Sequence, residues 1–243
     1  MTTTVCLLDS KSRYLFSVIM LGFLAACGGG GSGDSAVLAT PGSTTFPLST
    51  AVANFVNETR SYRLSMNGTG ISSGQTVSFT GSGTVSESMV PATFEGAAAL
   101  KKSVTNTGAL IILGTSIPVA TTVATYFDAN YGPMGSSAQN VYCTTSAKTQ
   151  LPTTVRIGDN GNWYTLTCYT NSCKTVVDST AFVSYSIEPE TVTTALLKLV
   201  TTINGSPTSQ TIRMNTSGGV TRVSESGFLN INGVALTYTG TYQ

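Results

Sequence analysis

No histidine occurs in this chain of 243 residues. Its absence removes every Ser-His-Asp and Cys-His nucleophile relay, the H-E-x-x-H zinc site and any imidazole base poised near neutral pH. The serine-lysine variant is missing too, because the residues three places before the lysines are Leu8, Ala98, Ala99, Thr145, Asn171 and Ala195. Charge is also scarce, at 9% of residues. Lys101-Lys102 is the sole adjacent basic pair and reads as a solvated strand edge. No footprint for nucleic acid is therefore expected. Among the few acids, Glu87, Glu95, Asp128 and Asp178 are the candidates for the two facing carboxylates of a glycosidase. Each is more simply read as a turn or strand-end residue. Asp159-Asn160-Gly161-Asn162 lacks the full acidic loop of an EF-hand, and a C-x-x-C pair is absent. The expectation is no catalytic residue, no metal and no cofactor.

Long apolar runs are lacking as well. The longest candidate, Tyr14 to Ala26, has 13 residues, and a bilayer-spanning helix needs about 20. It follows Lys11 and Arg13 and ends in the small residues of Leu24-Ala25-Ala26-Cys27, the order of a secretory leader. That tetrapeptide resembles the lipobox of bacterial lipoproteins. The resemblance implies cleavage after residue 26, and acylation of Cys27 with three chains of palmitate type. Such chains bind a bilayer with about 0.8 kcal/mol per buried methylene. Gly28 stands where an aspartate would favour inner-membrane retention, so the resemblance implies the outer membrane of a Gram-negative envelope, facing the periplasm or the cell surface. Without Lys11, Arg13 and Asp9, the chain from Cys27 carries ten basic and ten acidic residues.

Residues 27–45 read as the lipidated cysteine and a Gly/Ser tether, and a coil of that length reaches roughly 25 Å. The body is expected over 46–243. Val52, Phe55 and Val56 at i, i+3, i+4 spacing predict a short helix capped by Ser49 or Thr50 and plugging the end of a sheet. Beyond it the period is two: Val77, Phe79 and Val85 share one face, as do Ala181, Val183, Tyr185 and Ile187. Asn232-Gly233 predicts a type I′ hairpin that sets Ile231 against Val234 and Leu229 against Leu236. Asn67-Gly68, Asn160-Gly161 and Asn204-Gly205 are further turn candidates, and Thr191 to Ile203 reads as a strand. The expected fold is all-β, an antiparallel meander of curved sheets forming a sandwich or half-barrel. Similar halves at 46–137 and 150–243, joined through Ser136 to Pro152, are one arrangement of it.

Cys143, Cys168 and Cys173 lie in the body, where an exported protein is expected to form a bridge. A four-residue hairpin loop favours Cys168 with Cys173, and Cys143 with either one is the alternative. Trp163, Tyr164 and Tyr169, and the cluster Tyr126, Phe127 and Tyr131, read as core rather than as exposed platforms. Three function classes fit: a non-catalytic lipoprotein that binds or scaffolds a protein or glycan partner, a carrier of lipid or another apolar ligand in a curved sheet, and a histidine-free carboxylate-dependent glycan hydrolase. The first is preferred, with the membrane as partner through the lipid.

Overall fold

A computed structural model describes residues 44–72, 74–139, 141–231 and 234–243. Cys27, the leader, most of the tether and Asn232-Gly233 lie outside the described residues. The chain enters through β1 (Thr45–Phe46), so Thr45 already belongs to a strand, and continues into α1 (Leu48–Asn57). Six strands follow: β2 (Ser61–Ser72), β3 (Gln75–Phe94), β4 (Ala97–Ile112), β5 (Thr115–Phe127), β6 (Pro133–Ala138) and β7 (Val141–Lys148). After β8 (Val155–Arg156), which pairs with β1, come β9 (Asn160–Tyr169), β10 (Val177–Pro189) and β11 (Thr194–Ile203). The last strands are β12 (Ser206–Asn215), β13 (Val220–Ile231) and β14 (Val234–Tyr242).

All but β1 and β8 form one antiparallel barrel of twelve strands, in the order β10-β11-β12-β13-β14-β2-β3-β4-β5-β6-β7-β9. The all-β antiparallel body and the short N-terminal helix are as the periodicity predicts. The sheet, however, neither stops as a half-barrel nor splits into a sandwich. It closes because β14 pairs with β2 in register Tyr238↔Gly68, and β9 pairs with both β7 and β10. Closure removes most unpaired edges. Ser136 to Pro152 is not a connector: β6 and β7 occupy most of it, held by Ser136↔Cys143 and Cys143↔Cys168.

Strand faces follow the two-residue alternation. Val77, Phe79 and Val85 point inward on β3, and Ala181, Val183, Tyr185 and Ile187 on β10, all buried. Asn204-Gly205 makes the expected turn with φ 49° and 81°. Leu229↔Leu236 and Ile231↔Val234 pair as anticipated around the undescribed turn. Two other turn candidates fail. Asn67-Gly68 lies within β2, where a Cβ on Gly68 would collide with the Thr237 carbonyl and the Phe79 ring. Asn160-Gly161 opens β9 instead, because the reversal is made earlier by Gly158 at φ 94°, with Arg156 N–H donating to Asp159 Oδ2. Glu95 and Gly96, at φ 50° and 79°, turn β3 into β4.

The helix packs against the barrel wall. Leu48, Ala51, Val52, Phe55 and Val56 are buried against inward residues of β9 to β12, including Leu166, Val183, Leu197 and Ile212. Each large apolar side chain so buried contributes about 1.5–3 kcal/mol. Neither Ser49 nor Thr50 caps α1: the N-cap is Pro47, without a side-chain bond, and Ala51 N–H donates to Pro47 O at 2.9 Å. The chain starts the helix sooner than the capping pattern implied because Phe46, fixed by β1, and Leu48 are both fully buried.

The disulfide joins Cys143 to Cys168, not Cys168 to Cys173. The two cysteines face each other across β7 and β9, with Cα atoms 4.0 Å apart. Cross-strand register supplies that proximity.

Candidate functional site

Charge has been placed inside the barrel. Lys102 on β4 shares the phase of Leu100 and Leu110, so its side chain turns inward and is buried, contrary to the solvated-edge reading. Its ammonium donates to Phe55 O at 2.7 Å, to Glu58 O at 3.1 Å and to Glu87 Oε2 at 2.9 Å. The last turn of α1 contains no basic residue. Lys102 thus supplies from the barrel wall the cation that satisfies carbonyls at a helix C-terminus.

Around this contact the polar lumen is assembled from four strands, β3, β4, β13 and β14. Arg222 on β13 donates to Glu87 Oε1, and both Arg222 and Lys102 lie over the Phe55 ring at 4.8 and 4.9 Å from its centroid. Tyr242 and Tyr238 on β14 donate their hydroxyls to the two oxygens of Glu225. Burial pushes the Glu225 carboxyl above the usual range, against the pull of Tyr242, Arg222 and Tyr238. Burial also lowers the Lys102 ammonium, opposed by Glu87. Desolvation would lower Arg222, but Tyr242, Glu87 and Glu225 raise it, and its charge persists. A cavity of about 60 Å³ remains between Phe55, Lys102, Arg222, Tyr164 and Ser136.

The four acids proposed for a glycosidase do not converge. Glu87 is in the lumen, bound to Lys102 and Arg222. Glu95 is at the β3–β4 tip, accepting from Lys174 Nζ at 2.5 Å and Tyr142 OH at 2.6 Å, which hold its carboxyl below the usual range. Asp128 closes the β5–β6 turn. Burial would raise its carboxyl, but Lys148 and the N–H groups of Gly132 and Asn130 outweigh this and lower it. Asp178 accepts from its neighbour Ser179 at 3.0 Å. Among the described residues no three His, Cys, Asp or Glu side chains could hold a metal ion. Trp163, Tyr164 and Phe127 are buried in the core, and Tyr126 stacks on Phe94 at 4.4 Å.

A second feature lies where the barrel wall opens. The β12–β13 ladder ends at Ser209↔Ser226, and β5 meets β6 only from Ala124 onward. Beyond those points six strands, β13-β14-β2-β3-β4-β5, continue as a curl on a separate small core of Phe79, Leu110, Leu229, Leu236 and Tyr238. Tight curvature is possible because Gly83 and Gly108 face each other, and a Cβ on Gly108 would come within 2.6 Å of Gly83 Cα. The curl portion of these strands carries no charge: residues 64–86, 103–127 and 226–243 contain no Asp, Glu, Lys or Arg. At the β12–β13 seam a groove of about 690 Å³ opens, lined by Pro207, Ser226, Gly227, Phe228 and Thr237 among other uncharged residues.

Sequence reading missed Lys102, Arg222 and Glu225 as lumen residues. The signal was present for Lys102 in its phase with Leu100. For Arg222 it was erased on its own strand, where Thr211 pairs with Ser224 and Ile212 with Arg222, so that Val223 is an extra residue and the two-residue alternation slips. Among the described residues no helix is long and apolar enough to cross a membrane. Comparison with known proteins finds no matching family model, no similar curated protein and no similar solved structure.

Proposed function

We propose that this protein is a non-catalytic binding or scaffolding module, anchored through acylated Cys27 to the bacterial outer membrane. The observation that carries the reading is the filled lumen. Alpha-helix α1 and the Glu87–Lys102–Arg222 cluster leave about 60 Å³, where a site for a small-molecule or lipid ligand takes about 300–1,000 Å³. A carrier that holds its ligand inside the lumen is correspondingly less favoured. The hydrolase reading loses support because Glu87 is tied to two cations out of reach of solvent, while Glu95, Asp128 and Asp178 serve turns and strand ends.

Anchoring and binding are compatible in direction. Thr44 hydrogen-bonds Val192 O at 3.5 Å, in the β10–β11 turn, and Pro47 and Thr50 pack near Gly218 in the β12–β13 turn. The uncharged curl and its seam are at the opposite end of those strands. A body hung from Thr44 would therefore present the seam away from the membrane.

The test is fractionation with intact-mass measurement on native membranes. Wild type is expected in the detergent-soluble membrane fraction, starting at an acylated Cys27, and Cys27→Ser is expected to leave that fraction. A wild-type chain with its leader intact, or an unmodified soluble chain, overturns the anchor. Saturable uptake of a fatty acid by the purified body would restore the carrier.

A further inference from the structure

We infer that the cavity in the lumen binds a small monovalent anion, held by the Arg222 guanidinium and the Ser136 hydroxyl. Such a site belongs to the barrel body and would exist with or without acylation of Cys27.

Two donors meet at one space. Arg222 on β13 and Ser136 on β6 both line the cavity, and they are only 4% and 6% exposed. Arg222 gives Nη2 to Glu87, while its Nε and Nη1, like Ser136 Oγ, find no partner at hydrogen-bond geometry among the described residues. Buried polar groups are nearly always bonded, and a guanidinium has donors only. Whatever completes them must therefore accept hydrogen bonds.

The charges around the cavity do not cancel. Lys102 and Arg222 are buried cations, and Glu87 is the carboxylate bonded to both. Glu58 is engaged by Arg60 at 3.4 Å. Glu225 accepts from Tyr238 and Tyr242, and burial pushes its carboxyl above the usual range, toward the neutral form. One positive charge is left over in a dry interior, where an uncompensated ion is costly. A monovalent anion removes that excess, and a cation would add to it.

Volume sets the upper limit on what enters. A water molecule requires about 10–15 Å³ of such space, and the cavity offers about 60 Å³. That suits a halide, nitrate or formate and rejects a phosphate ester or an acyl chain. The rest of the lining includes Phe127, Leu166 and Val183, so an ion that sheds water easily gains most. Entry is from the curl side, where half-buried Asn106 and Val123 line the cavity and β5 runs without β6.

The experiment compares thermal melts of the full protein in sodium bromide and in sodium gluconate, a monovalent anion too large for the cavity, at equal ionic strength. Bromide is expected to raise the melting temperature saturably over gluconate, as a ligand of the folded state does. A hydrogen bond to a charged group is worth about tenfold or more in binding, so Ser136→Ala should raise the half-saturating bromide concentration by that factor. Arg222→Gln should abolish the shift. Arg213→Gln, at an exposed guanidinium on β12, should respond as wild type does. Crystals soaked in bromide should show an anomalous peak beside Arg222 and Ser136 Oγ. If Arg222→Gln fails to fold, the Ser136→Ala titration and the anomalous peak decide. Equal melts in the two salts, a bromide shift that either cavity variant leaves unchanged, or a soaked crystal with water alone in the cavity overturns the inference.

Discussion

Lys102 and Glu87 meet at 2.9 Å inside the barrel, on adjacent strands and with neither side chain reaching solvent. Removing Lys102 leaves Glu87 paired with Arg222, so the cost is that of buried acceptors left without their donor, about 1–3 kcal/mol each. Phe55 O and Glu58 O are two such acceptors. Lys102→Met is therefore expected to destabilise by an amount of that order, read as a lower urea midpoint with an unchanged slope. A midpoint within error of wild type would mean that α1 is held by its apolar face alone.

Glu225 gives a pH signature of defined sign. Its carboxyl titrates higher in the folded chain than in the unfolded one, mainly through burial. The stability it contributes is present below the unfolded carboxylate range and is lost as pH rises through the folded value. Glu225→Gln stays neutral throughout. The melting temperature of this variant minus that of wild type should therefore climb from pH 4 to pH 8, and a flat or falling difference refutes the assignment.

Asp128 behaves in the opposite way. Its carboxyl is held low in the fold, so its contribution is present above the unfolded carboxylate range and disappears as pH falls through the folded value. Asp128→Asn should lower stability at pH 7, and its deficit against wild type should be smaller at pH 3. The check is a pair of thermal melts at those two pH values.

The Cys143–Cys168 bridge closes a loop with a sequence separation of 25. By the loop-entropy relation this amounts to about 3–4 kcal/mol. Reduction, or the Cys143→Ser/Cys168→Ser double variant, should lower the unfolding free energy by that order while leaving the far-ultraviolet spectrum of a β protein. Loss of the fold on reduction would show instead that β7 depends on the bridge.

Gly108→Val tests the curl. The new side chain would meet the Ser82 carbonyl and Gly83 Cα, backbone that cannot rotate away. Overpacking of this kind costs about 1–3 kcal/mol. Hydrogen exchange should speed up in 77–86 and 104–112 while β9 to β11 stay protected.

Much of this architecture was readable from residue order. Alternation at Val77, Phe79 and Val85, and at Ala181 to Ile187, gives the faces of strands directly, because inside and outside repeat every two residues. What alternation cannot give is which strand lies beside which. The pairing of β14 with β2 joins residues such as Thr237 and Thr69, 168 apart, and nothing local distinguishes a closed ring from a curved sheet. The alternative pairing, Cys143 with Cys168, replaces the preferred one for the same reason: nearness along the chain favoured Cys173, whereas Cys143 stands opposite Cys168 only once β7 lies against β9. Lys102 shows the limit of treating charge as a surface marker. Its phase with Leu100 pointed inward, and only the Phe55 and Glu58 carbonyls and Glu87 make such a position tenable.

The β14–β2 ladder also governs when the molecule can become itself. Alpha-helix α1 is made early, yet Arg222, Glu225 and Tyr242, which surround its far end, belong to the final hairpin. Until Arg63 and Gln243 exchange their main-chain bonds, an ammonium, a guanidinium and two carboxyls that end up dry still stand in water. Maturation should accordingly wait on the last two strands, with ring closure and expulsion of solvent arriving together as one late, cooperative event.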